Sequence, residues 1–182
     1  MKNNKTIQVA LLGGKGTVGS GLRKYLPVFD SNYNFTIFDL SDSIDKLKNK
    51  NISEKFVDID ILNESQKLKK YLNDKDLIIY LARVDPLYKM NQMTDIVFKS
   101  IEEVCPESLV IASSSVHATG GAYFPFENEP YYSISKRNFE KLKKWPDLLS
   151  SNLEPCPTGD YGLEKAYVES WCQRFAATGK SA

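Results

Sequence analysis

Three groups of side chains in this sequence have the types and spacing that chemistry needs. The first is a glycine turn, Gly13-Gly14-Lys15-Gly16-Thr17-Val18-Gly19. Glycines at 13, 16 and 19 allow a tight turn and close approach of the backbone to a pyrophosphate, and a helix opening at Thr17 and Val18 would point its N–H groups and partial positive charge at that anion. Asp39 follows Gly19 by 20 residues. A carboxylate at that separation accepts hydrogen bonds from an adenosine ribose and repels a 2′-phosphate, which favours NAD over NADP. The second group is Tyr161-Gly162-Leu163-Glu164-Lys165, whose spacing of four puts Tyr161 and Lys165 on one face of a helix. Tyrosine is a poor base at neutral pH unless a nearby cation favours the phenolate. Lys165 supplies that cation, so Tyr161 is a candidate acid/base. The third group is Ile111-Ala112-Ser113-Ser114-Ser115, where a hydroxyl can orient a substrate oxygen.

Each group has a plainer rival. Tyr132-Ser133-Ile134-Ser135-Lys136 repeats the tyrosine and lysine spacing and lies nearer Ser115 in sequence. His117, the only histidine, follows Ser115 by two residues, but a tyrosine and lysine pair has no need of its imidazole. The basic residues at 136, 137, 141, 143 and 144 read as a solvated helix face. No CxxC or Cys/His spacing is present, and no metal is expected.

Side chains so far apart in the chain have to be brought together by regular elements. Ile7 to Leu12, Phe35 to Asp39, Lys55 to Ile59, Leu77 to Leu81 and Leu109 to Ser113 are short, nearly continuous apolar runs, the pattern of strands buried on both faces. Thr17 to Leu26, Glu64 to Leu72 and Met90 to Val104 carry apolar residues at three- and four-residue spacing. The alternation predicts a doubly wound parallel α/β sheet over the first 115 residues, with the glycine turn after the first strand and the serines at the C-terminal end of the fifth, the edge where such sheets bind ligands. Residues 122–160 form an aromatic- and proline-rich excursion with one short basic helix expected from Ser135 to Trp145. A last helix is expected from Gly162 to Ala177, capped by Gly179. The whole reads as one domain over 1–182 that stops where a sixth strand is expected. An apolar edge left there would be covered by the excursion or by a second copy in a homo-oligomer.

Composition sets the outer limits. The 182 residues hold 24 basic and 23 acidic side chains, a net charge of +1, which argues against a nucleic-acid binder. With 42% hydrophobic and 26% charged residues, and no apolar run of membrane-spanning length or signal-peptide form, a cytoplasmic globular protein is expected. Cys105, Cys156 and Cys172 are odd in number and far apart, as reduced thiols are.

GGKGTVG, Asp39, Asp58-Ile59, IIYLAR, ASSSVHATG and YGLEKAYVES occur in an order that resembles the extended short-chain dehydrogenase/reductase superfamily, the NAD-dependent epimerase/dehydratase group. The resemblance implies a Rossmann-type fold with NAD as cofactor. It places Asp58 and Ile59 against adenine, Leu81 and Ala82 beside the cofactor, and Ser115, Tyr161 and Lys165 in the catalytic set, with Tyr161 and Lys165 also contacting NAD. The segments SSSVHATG and DYGLEK look closest to uronate dehydrogenases and nucleotide-sugar epimerases, so the implied substrate is a sugar, sugar acid or nucleotide sugar. The match of YGLEKAYVES favours Tyr161 over Tyr132. Glu164 stands where the family usually has serine, Arg83 stands where a small residue is common, and the family's C-terminal substrate region is not in this chain. The rival function is therefore an NAD-binding module without catalysis.

Overall fold

A computed structural model describes residues 6–29, 32–45, 54–120, 130–143 and 155–179. The chain divides into two compact units, Met1–Ser113 with Val168–Ala182, and Ser114–Tyr167.

The first unit is built on five strands, β1 (Ile7–Leu12), β2 (Tyr33–Asp39), β3 (Glu54–Asp58), β4 (Leu77–Tyr80) and β5 (Leu109–Ala112). They pair in parallel in the order β3-β2-β1-β4-β5. Helices α1 (Thr17–Phe29), α2 (Ser65–Leu72) and α3 (Leu87–Val104) lie between the strands in sequence. From β1 the chain winds outward to β2 and β3, then returns past β1 to β4. The winding direction therefore reverses between β1 and β4, and a crevice opens beyond their C-terminal ends.

The pleat sends alternate residues to opposite faces. Leu12, Phe38, Ile78, Tyr80 and Val110 pack with Leu68 of α2, Val97 and Phe98 of α3, and Val168 and Phe175 of a last helix, α5 (Gly159–Ala177). Trp171 of α5 stacks on Phe98 with ring centroids 5.4 Å apart, and its indole N–H donates to Asp95 at 3.0 Å. The opposite face packs Val9, Leu11, Phe35, Ile37 and Ile79 against Leu22 and Leu26 of α1.

All five expected strands form, but the outer two are not buried on both faces. In β3 only Val57 is buried, and in β5 only Val110. Leu109 and Ile111 are 44% and 48% exposed next to Leu77 and Ile79 on the α1 face, because no described helix covers that end of the sheet.

Among its described residues the second unit contains a 3-10 turn (Val116–Ala118), a short helix α4 (Tyr131–Ser135), a further 3-10 turn (Phe139–Lys141) and the first turns of α5. The basic helix expected from Ser135 is a correction: α4 ends where it was to begin. Arg137 takes the left-handed conformation at φ 54°, while its N–H bonds to the Ile134 carbonyl and the Asn138 N–H to the Ser133 carbonyl. This is a Schellman stop, and it outweighs the helical charge pattern that follows. Tyr123, Phe124, Phe126 and Trp145 of the excursion lie outside the described residues. Helix α5 starts three residues before the expected Gly162 and ends before Gly179, which has the expected positive φ of 79°.

Candidate functional site

At the C-terminal ends of β1, β2 and β4 the first unit holds a cleft of about 400 Å³. Its floor is the glycine turn. Gly13 has φ +84°, and a Cβ there would come within 2.7 Å of the Ala82 backbone nitrogen, so the turn and the loop after β4 meet main chain to main chain. Gly19 sits equally close to the Gly14 backbone, which seats the first turn of α1 on the loop. Thr17 and Val18 open that helix and are exposed, as is Gly16.

Asp39 ends β2 at the rim of the cleft. One carboxylate oxygen accepts the Lys15 backbone N–H at 2.9 Å, and the other accepts that of Leu40 at 3.0 Å. The acid is thus tied to the glycine turn with lone pairs remaining for hydroxyl donors. Ile59, Leu81 and Ala82 line the same cleft. Asp58 is not among the residues that line it; its carboxylate accepts the Ser41 N–H at 2.7 Å, while Asp60 lines the cleft wall.

Two cations outside the expected set shape this region. Lys15 is buried, with Nζ donating to the carbonyls of Leu40 and Ser41 at 2.7 and 3.1 Å and lying 4.3 Å from the centroid of the Phe56 ring. Arg23 of α1 is 2% exposed and spends its guanidinium on Glu54, Asp45 and the Gly14 carbonyl at 2.7 to 3.1 Å. Burial works against its charge, but hydrogen bonds and attraction from Glu54 and Asp45 outweigh that and hold it protonated above its ordinary range. Arg23 therefore joins the glycine turn, β3 and the loop after β2 whose Leu40, Ser43 and Ile44 wall the cleft. An arginine at the seventh position after Gly16 has no signal in sequence that separates it from a surface residue of α1, and loop positions 40 to 44 carry no pattern at all.

In the second unit Ser115 caps the 3-10 turn, accepting the His117 N–H at 3.3 Å. The Ala118 carbonyl accepts the Cys156 N–H at 2.9 Å and the His117 carbonyl the Thr158 N–H at 3.4 Å, which leads the chain into α5 beside that turn. At Gly162 a Cβ would come 2.4 Å from the His117 carbonyl oxygen, so glycine lets the first turn of α5 seat on the turn that carries Ser115. Tyr161 faces His117 edge-on with centroids 5.5 Å apart, and Lys165 Nζ is 5.7 Å from the Tyr161 ring centroid. Lys165 is 5% exposed and Tyr161 39%. Tyr132 stands on α4, 45% exposed, with Lys136 Nζ 5.9 Å from its ring centroid.

Among the described residues no cluster of three or more His, Cys, Asp or Glu can hold a metal, and no helix is long and apolar enough to cross a membrane. All three cysteines are free thiols.

No protein-family model matches the sequence, and no curated protein does. Solved structures do resemble it. A dTDP-glucose 4,6-dehydratase of Bacillus anthracis in complex with NAD superposes with a TM-score of 0.69 at 15% identity, over 94% of this chain and 51% of that one. Uronate dehydrogenase of Agrobacterium tumefaciens gives 0.66 at 16%, over 94% and 56%. UDP-glucose 4-epimerase of Brucella ovis in complex with NAD gives 0.68 at 19%, over 96% and 49%. The chain spans about half the length of these structures. Together with the strand order, the likeness establishes a Rossmann-type α/β fold.

Proposed function

We propose that the chain binds NAD in the cleft of the first unit and belongs to an oxidoreductase or epimerase/dehydratase that acts on a hydroxyl of a sugar, sugar acid or nucleotide sugar. The observation that carries this is the Asp39 carboxylate, hydrogen-bonded to the glycine turn at the rim of a cleft whose floor has no room for a side chain at Gly13 or Gly19. Such a floor suits a pyrophosphate, and an acid beside it suits a ribose diol. Gly13, Gly16, Thr17, Val18 and Gly19 would hold the phosphates, Asp39 the adenosine ribose, and Ile59, Leu81 and Ala82 the adjoining surfaces. Bound nicotinamide would supply a hydride acceptor and donor. For the protein's own part, Tyr161 takes the proton from the substrate hydroxyl, Ser115 orients its oxygen, and Lys165 stands one turn further along the same helix face, with Nζ 5.7 Å from the tyrosine ring centroid. The like fold of the dehydratase, the uronate dehydrogenase and the epimerase supports the substrate class. Free thiols and ordinary charge balance support a cytoplasmic setting.

Titration calorimetry with NAD and NADP tests the cofactor. NAD should bind more tightly, and Asp39→Ala should narrow the difference; tighter NADP binding would contradict the assignment. Rate assays with uronic acids and UDP-sugars, read as NADH formation or product epimerisation, test the reaction. Binding of NAD with no turnover would leave the cleft as a nucleotide-binding module only.

A further inference from the structure

Resting on the nucleotide reading of the cleft, we infer that Arg83 is a pyrophosphate-binding residue whose guanidinium is held at the cleft by Asp85 until a dinucleotide arrives. The loop after β4 touches the glycine turn where Ala82 main chain abuts Gly13, and Arg83 is the next residue. Arg83 lines the cleft together with the charged residues Lys15, Asp39 and Asp60. Two of these are acids and a dinucleotide brings two more negative charges, so the cleft needs cations that can meet them. Lys15 is committed to two carbonyls and an aromatic ring. Arg83 instead donates to Asp85 at 2.8 and 3.1 Å, an ion pair between side chains that are 41% and 74% exposed. Exposed pairs of this kind contribute little to stability, so giving up the Asp85 contact itself costs little. The guanidinium fork fits phosphate oxygens as well as carboxylate oxygens.

The test is titration calorimetry of the full chain with adenosine, ADP, NAD and NADP, using wild type, Arg83→Gln and Asp85→Asn. Arg83→Gln should weaken ADP and NAD about tenfold, the order of one charge-assisted hydrogen bond, while adenosine changes less than about twofold. Asp85→Asn should bind ADP at least as tightly as wild type. Both variants alter exposed side chains, and thermal unfolding checks that each is folded. If Arg83 only props the loop through Asp85, both variants weaken every ligand, adenosine included, which overturns the proposal. A loss confined to NADP would put the guanidinium at the 2′ position and overturn it too. Wild-type binding that Arg83→Gln leaves unchanged overturns this proposal alone, whereas failure of the wild type to bind ADP or NAD overturns the nucleotide reading and this proposal with it.

Discussion

Tyr161 and Lys165 stand one turn apart on α5, and the edge contact with His117 fixes the ring against the turn that carries Ser115. Tyr161→Phe keeps that packing and removes only the hydroxyl. In a preparation that turns over a sugar substrate, we expect it to lower the rate at least about 100-fold, the scale of lost general acid/base help, with NAD affinity nearly unchanged. Tyr132→Phe should change the rate less than about twofold; the reverse pattern in the same assay would assign the chemistry to Tyr132. The cysteines separate by burial. Desolvation raises the thiol of Cys105 above its ordinary value, against smaller opposing effects of Ser108 and Lys75, and desolvation followed by Glu169 raises that of Cys172, while Cys156 is exposed. Iodoacetamide at pH 8 should therefore label Cys156 first, as peptide mapping would show. Because the folded state holds the Cys105 and Cys172 protons more tightly than the unfolded chain, their contribution to stability is intact below the ordinary thiol range and is lost as pH rises through and above it.

At the scale of elements, Arg23 is the piece that sequence patterns miss. It bonds three segments that no periodicity links: the glycine turn, the first residue of β3 and the loop after β2. Glu54 has a side chain only 5% exposed, so Arg23→Met would strand a buried carboxylate. Removing one partner of a buried pair costs about 3–5 kcal/mol, and urea unfolding should show a loss of that size. Asp45→Asn, whose side chain is 23% exposed and keeps a hydrogen-bonding oxygen, should cost less than about 1.5 kcal/mol. Equal losses would show that the guanidinium does not discriminate between its two acids. The charge-patterned helix expected from Ser135 to Trp145 gives the opposite lesson, since a stop made by two main-chain hydrogen bonds and a positive φ at Arg137 leaves little trace in residue type.

Among the described residues of the first unit, helices α2, α3 and α5 pack on one sheet face and α1 on the other. Leu109 and Ile111 on β5, an edge strand, are left half exposed on the α1 face. Exposed apolar side chains on the face of an outer strand favour association. Sedimentation of the 182-residue, 20.6 kDa chain should show an average mass that rises with concentration, and Leu109→Ser with Ile111→Ser should hold it at the monomer value. A wild-type chain that stays monomeric at high concentration would show that this face is covered in solution.

The sequence by itself determined the elements whose formation is local. β1 to β5 follow from short apolar runs, α1 to α3 from helical spacing, and the glycine turn is placed by its position between β1 and α1. The pairing of Tyr161 with Lys165 on one face was equally legible, because helix geometry alone puts side chains four residues apart together. What only the tertiary structure decided depends on contacts between distant segments. The seating of Gly162 on the His117 carbonyl, the bond from Lys15 to Asp39 and the contact of Ala82 with Gly13 each join residues more than 20 positions apart. The free energy of such contacts comes from which surfaces meet, and a pattern along the chain records only which surfaces exist.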